Sequence, residues 1–200
     1  MHPMTRMRMG AAAVALLVFG SVGCSSPPQA EIEAARAAIE SARQADAGTW
    51  AAQELKTAED SLAAAEAEVA AQSGRWFKGY GRARDLAAQA KQQAESAAAA
   101  AAANRERARS ESEAAIGAAD AALKTAEGSL KAAPATRYSK ADRALFRNEI
   151  SKLAPVLQEA RTAFEIADYR RASQLADSVR DGANDIATRL QRREARPAPK

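Results

Sequence analysis

Apolar positions along this chain fall at helical rather than strand-like spacing. Ile116, Leu123 and Leu130 recur every seven residues, and Ala119, Ala126 and Ala133 each follow three positions later, the a/d pattern of a packed helix seam. The next segment carries a stripe of Leu145, Leu153, Val156, Leu157, Ala160 and Phe164, and the last places Leu175, Val179, Ile186 and Leu190 on one face. Local signals divide these patterns into elements. Ser26-Pro27-Pro28-Gln29 reads as a helix start with Ser26 as N-cap, and that helix runs to about Ala47, where Gly48 stops it. Thr49 can cap a second helix from Trp50 to about Gln72, and Ser73-Gly74 ends it before a turn that holds Trp76 and Phe77. A long helix then begins near Tyr80 and meets no proline until Pro134. Residues 133–138 read as a loop, Ser139 with Asp142 as a capping box, Pro155 as a kink in the following helix, and Asp168 as the cap of the last.

Composition sharpens this picture. The chain is 47% apolar but only 4% aromatic, and much of the apolar share is alanine, the strongest helix former and the smallest apolar core side chain. β-branched residues are sparse, so no sheet is expected. The expected fold is all-α: an elongated antiparallel helical bundle or coiled coil, made of two tandem three-helix units that share a long central helix. The first unit is assigned to residues 30–103 and the second to 104–193, with a linker at 24–29 and a disordered tail at 194–200. The seven consecutive alanines at 97–103 read as helical and too featureless to bind anything specifically.

The chain also resembles itself. Tyr80-Gly81-Arg82-Ala83-Arg84-Asp85-Leu86-Ala87 and Tyr169-Arg170-Arg171-Ala172-Ser173-Gln174-Leu175-Ala176 share Tyr, Arg, Ala, Leu and Ala in order, at an offset of 89. Leu55 and Leu62 then correspond to Ile150 and Leu157, if the first copy carries about six extra residues in its 73–78 turn. Such repetition points to stacked helical units.

The first 23 residues stand apart. Residues 1–9 carry Arg6 and Arg8 and no acid, residues 10–19 are apolar, and Gly20-Ser21-Val22-Gly23 is small-residue material before Cys24, the only cysteine. These are the parts of a secretory signal, and the apolar run is far shorter than the ~20 residues of a membrane span. Val22-Gly23-Cys24 resembles the bacterial lipobox, with Ser21 standing where leucine is usual. That resemblance implies cleavage before Cys24, diacylglycerol on its sulfur and a third, palmitate-type chain on its amine. Two or more acyl chains anchor stably where one does not. Ser25 is not aspartate, which by the same resemblance directs the protein to the periplasmic face of the outer membrane.

The Tyr-x-x-Ala-x-x-Leu-Ala string, together with Ala34-Ala35-Arg36-Ala37-Ala38-Ile39, resembles a helical domain of unknown function found in bacterial envelope lipoproteins. The resemblance covers residues 30–103 best. In some of those proteins the domain precedes an OmpA-like peptidoglycan-binding domain, and none follows here. The resemblance implies an envelope lipoprotein with helical, protein-contacting modules.

Candidate chemistry is sparse. The formal charge is +4, and removing Arg6 and Arg8 with the leader leaves +2, with both signs interspersed and no basic block of the kind that binds nucleic acid. The only histidine is His2, so beyond the leader there is no imidazole, and Cys24 is the only thiol. Ser-His-Asp and Cys-His catalysis and Cys/His zinc sites are excluded, and no cofactor or metal is expected. Glu31 with Glu33, Glu66 with Glu68, and Glu111 with Glu113 are i,i+2 pairs on different helix faces and read as solvated surface. Trp50, Trp76, Phe77 and Tyr80 are expected to fill gaps at a bundle end, where alanine leaves room, rather than to form a ligand patch.

Lys200 closes the chain given. In Braun-type lipoproteins, which this chain resembles in its alanine-bearing helices and lipidated cysteine, a C-terminal lysine is joined to peptidoglycan. Sequence alone thus yields a non-enzymatic, membrane-anchored envelope protein whose partner is an unidentified envelope protein or peptidoglycan, with self-association open. The alternative is an outer-membrane-to-peptidoglycan tether, covalent through Lys200.

Overall fold

A computed structural model describes residues 26–195. Six helices follow one another: α1 (Gln29–Gln44), α2 (Ala47–Trp50), α3 (Ala52–Ser73), α4 (Gly81–Ala132), α5 (Lys140–Glu165) and α6 (Tyr169–Ala195). There is no strand among the described residues. The 52 residues of α4 make it about 78 Å long at 1.5 Å per residue. Its first part packs against α1 and α3, and its later part against α5 and α6. The fold is therefore the all-α arrangement expected, two three-helix groups joined through one helix. In the first, α1 and α4 run parallel and α3 returns between them. In the second, the later part of α4 and α6 run parallel and α5 returns. The groups are thus stacked head to tail along α4.

Heptad steps build the seams. On α4 the fully buried positions are Ala83, Ala87, Ala90, Ala94, Ala97 and Ala101, alternating steps of four and three. The expected seam of Ala119, Leu123, Ala126, Leu130 and Ala133 is buried in the second group, with Ile116 half-buried against it. Between them the pattern breaks: Ala101 to Ser112, the next fully buried position, spans eleven residues through half-buried Asn104 and Ala108. An eleven-residue step locally unwinds a left-handed supercoil, and it turns the buried stripe where α4 changes partners. The seven-alanine run is not featureless packing material, since Ala97 and Ala101 sit wholly inside the seam while Ala99 and Ala103 face solvent.

Several local expectations need correction. Helix α1 begins at Gln29 with Pro28 as N-cap, not Ser26, because Pro28 is itself fully buried and its carbonyl accepts from Ile32 N–H at 3.1 Å. It ends at Gln44, not Ala47; Asp46 takes the left-handed conformation (φ 59°), and Gly48 and Thr49 lie inside the one-turn α2 rather than stopping or capping a helix. Asp tolerates this region better than most residues, which lets the chain turn there without glycine. On α5 the buried residues are Phe146, Ile150, Leu157, Ala160 and Ala163, and Leu145 is exposed, one step off the stripe. Pro155 lies within α5 without ending it. It faces solvent, so water can satisfy the Ser151 carbonyl that loses its partner.

Other signals hold as read. The Ser139 hydroxyl accepts from Asp142 N–H at 3.0 Å, and the Asp142 carboxylate accepts from Ser139 N–H at 3.1 Å, a complete capping box. Asp168 accepts from Arg171 N–H at 3.2 Å, as an N-cap for α6. Several positions paired by internal resemblance share their environments: Ala83 with Ala172 and Ala87 with Ala176 are fully buried, and Leu86 and Leu175 are both half-buried, whereas Tyr80 is buried and Tyr169 only half-buried.

Candidate interaction surfaces

Cys24 and Lys200 lie outside the described residues, as do residues 196–200 of the tail expected at 194–200, whose first two residues instead continue α6. The chain enters the described structure at Ser26, whose carbonyl accepts from Arg84 Nη2 at 3.3 Å. Arg84 also approaches Glu31, Nε to Oε1 at 3.5 Å. Pro28 is sealed beside them, and Ile32, Ala65 and Ala87 form the small core of this end with Leu62, Val69 and Leu86 around it. Residue 26 is thereby fixed at the end of the rod where α3 turns into α4. At the opposite end, α6 finishes alongside the 133–138 loop, where Tyr138 bonds Leu190. The described chain enters at one end and leaves at the other.

The α3–α4 turn is the first surface. Gln72 is buried at its base, its amide nitrogen donating to Glu68 at 2.8 Å and its amide oxygen accepting from Gly79 N–H at 3.4 Å. Tyr80 is buried on the other side. Between these fixed points Trp76 and Phe77 stand 92% and 87% exposed. This overturns the expectation that they fill gaps: Pro28, Ile32 and Tyr80 already close the bundle end, and the extra turn residues project beyond it. Residues 74–84 carry Arg75, Lys78, Arg82 and Arg84 and no acid.

Trp50 belongs to a different surface, at mid-rod. Its ring lies 6.3 Å from that of Tyr169 and 5.0 Å beneath the Arg170 guanidinium, and Tyr169 in turn lies 5.4 Å from Phe164. Arg170 Nη2 donates to the Thr49 carbonyl at 3.1 Å, Asn104 Nδ2 donates to the Trp50 carbonyl at 2.8 Å, and Arg105 pairs with Asp46 at 3.7 Å. These contacts join the α1–α3 connection to the α5–α6 turn across α4. The half-buried rings act as packing between groups, and the four aromatics singled out by sequence form no common patch.

The third surface is a groove of about 430 Å³ between α4 and α5, lined by Glu127, Leu130, Lys131, Arg143, Arg147 and Ile150. Arg143 donates to the Ala133 carbonyl at 2.6 Å, leaving Lys131 and Arg147 as its outward cations. Ser151, which also lines the groove, donates its hydroxyl into its own helix, to the Asn148 carbonyl at 2.9 Å. The lining sets one carboxylate, Glu127, among three cations on an open surface.

Charged side chains elsewhere bridge helices. Arg36 bonds Glu66 and Glu33 at 2.6 and 2.7 Å, Arg43 bonds Glu59 at 2.7 Å, Arg161 bonds Asp120 at 2.9 Å, and Arg171 bonds Glu159. The Glu66 hydrogen bond and charge hold the Arg36 guanidinium above its ordinary pKa. Glu31, Glu33, Glu66 and Glu68 thus make surface ion pairs and hydrogen bonds, consistent with i,i+2 carboxylates that never converge. No cluster of three or more His, Cys, Asp or Glu able to hold a metal occurs among the described residues, and no helix among them is long and apolar enough to cross a membrane.

Residues 30–115 match a domain of unknown function (DUF4398). The match runs from the first turn of α1 through the first group and along α4 to Ala115, past the eleven-residue step. No curated protein and no solved structure matches the chain.

Proposed function

We propose that this chain is a lipid-anchored, non-enzymatic protein of the bacterial envelope, held by acyl chains on Cys24 at the periplasmic face of the outer membrane. Its helical rod presents side faces for docking another envelope protein. The observation that carries this reading is the placement of the two ends. Ser26, two residues after Cys24, is pinned at one end of α4, and α6 finishes about 78 Å away. An anchor at Cys24 thereby holds the rod by its end and leaves its length free for contacts.

In vivo cross-linking of the tagged chain, beside a Cys24→Ala control, tests it. A discrete envelope protein captured by the anchored form and lost from the control is expected. Equal capture by both forms sinks the anchored reading.

A second reading, a tether from membrane to peptidoglycan through Lys200, is favoured by one observation: the tail leaves from the end farthest from the anchor. It requires recovery of the chain with purified sacculi, abolished by deleting Lys200.

A further inference from the structure

We propose that the Arg75-Trp76-Phe77-Lys78 turn is a membrane-docking element, which seats the end of the rod in the headgroup region of a bilayer containing anionic phospholipid. The inference builds on the Cys24 anchor, which brings this end to the membrane, and adds a second, protein-borne contact.

Four observations converge on the turn. Two adjacent aromatic side chains stand almost wholly in solvent, although their bases are fixed by buried Gln72 and Tyr80. The turn cannot simply collapse to hide them. Tryptophan and phenylalanine flanked by lysine and arginine suit the membrane interface, where the rings enter the acyl boundary and the cations reach phosphate. Arg75, Lys78 and Arg82 make no ion pair with a carboxylate of the described structure, and Arg84 approaches only Glu31.

Position supplies the third observation. Arg84 holds the carbonyl of Ser26, and the two residues back to Cys24 extend at most about 7 Å. Lipid on Cys24 and the Trp76-Phe77 pair therefore face one surface.

The fourth comes from the stacking of the two groups. The turn equivalent to this one in the second group, between α5 and α6, is only three residues long and seats Tyr169 and Arg170 against Trp50 of the first group. Among the described residues, no helix packs below the first group. Its turn is longer, and the added residues carry the aromatic pair.

Brominated-lipid quenching tests this on the purified full chain, which contains only Trp50 and Trp76. The Trp50→Phe variant leaves Trp76 as sole emitter, and Trp76→Phe leaves Trp50 as the control; circular dichroism checks that both stay helical. In vesicles of mixed zwitterionic and anionic phospholipid, bromines near the headgroup should quench Trp76 by about half and Trp50 by less than about a tenth. Replacing Arg75 and Lys78 with glutamate should weaken Trp76 quenching at least about twofold. Unquenched Trp76 in a chain whose intact mass shows acyl groups overturns the docking turn and leaves the anchor standing. A mass without acyl groups overturns the anchor, and vesicles added to that same chain still decide the turn by whether Trp76 is quenched.

Discussion

The phenolic hydroxyl of Tyr138 donates a 2.5 Å hydrogen bond to the carbonyl of Leu190, joining residues 52 apart in sequence. Tyr138 lies in the loop between α4 and α5, Leu190 in the last turns of α6, and both are buried. The Phe146 ring meets the Tyr138 ring edge-on at 6.3 Å, and the Arg193 guanidinium lies 5.8 Å from its centre. One side chain thus closes the end of the second group by joining the loop after α4 to both α5 and α6. Tyr138→Phe keeps the ring and removes the donor, and should cost about 1 kcal/mol. Tyr138→Ala should cost about 3–5 kcal/mol, because the ring's volume is lost as well. Urea unfolding followed by circular dichroism reads both; equal costs would mean that the ring alone matters.

Beside this closure, Asp142 ties the capping box to α6. Its carboxylate bonds Arg193 at 2.7 Å as well as Ser139. The Arg193 hydrogen bond, followed by those from Ser139, lowers its pKa from 3.8 to about 2. A carboxyl depressed on folding stabilises the fold fully above its unfolded value and loses that contribution as pH falls through its folded value. Thermal midpoints of the natural chain and Asp142→Asn should therefore differ by a constant amount at neutral pH. The gap should narrow as pH falls from 3.8 and close near pH 2. A gap unchanged at the acid end would assign the effect of the substitution to geometry rather than charge. Its size will be modest, because the pair is partly open to solvent.

Alanine phase on α4 is testable in the same way. Ala97 is fully buried against the first group, and Ala99, two residues on, is exposed. Ala97→Leu should overpack the seam and cost about 1–3 kcal/mol, whereas Ala99→Leu should stay within about 0.5 kcal/mol of the parent. Similar melting curves for the two variants would show that the alanine run has no fixed buried face.

The pair Ala97 and Ala99 also marks where sequence reading reaches its limit. Leu123 and Leu130 announce their phase because large and small side chains alternate around them. In the 97–103 run every position is identical, so which alanines turn inward depends on where Ile39 and Leu55 of the partner helices arrive. The same dependence misplaced Leu145: either it or Phe146 can begin an apolar stripe, and only the step from Phe146 through Ile150 and Leu153 to Leu157 keeps alternate fours and threes. Ser139, Asp142 and Asp168 were legible because a cap is a local arrangement of a few residues. Asp46 was not, since no glycine marks its left-handed turn between α1 and α2. The surface-turn aromatics were misread for a related reason: a sequence shows that Trp76 and Phe77 are large and apolar, but not that Pro28 and Tyr80 already occupy the space they would fill.

The stacking along α4 also decides how the molecule answers a pull. A force between residue 26 and the end of α6 enters α1 at one tip and leaves α6 at the other. It must cross from α1 to α4, and then from α4 to α6. In both groups the helices that exchange the force run parallel and are drawn past one another lengthwise, so a whole seam resists together instead of opening turn by turn. The two groups bear equal tension because they lie in series. Ile32, Ile39 and Leu55 are the large aliphatic side chains buried in the first group, against a second core that includes Leu123, Leu130, Phe146, Ile150, Leu157, Val179, Ile186 and Leu190. Under rising tension the alanine seam next to residue 26 slips first, paying out chain while the far end keeps its shape.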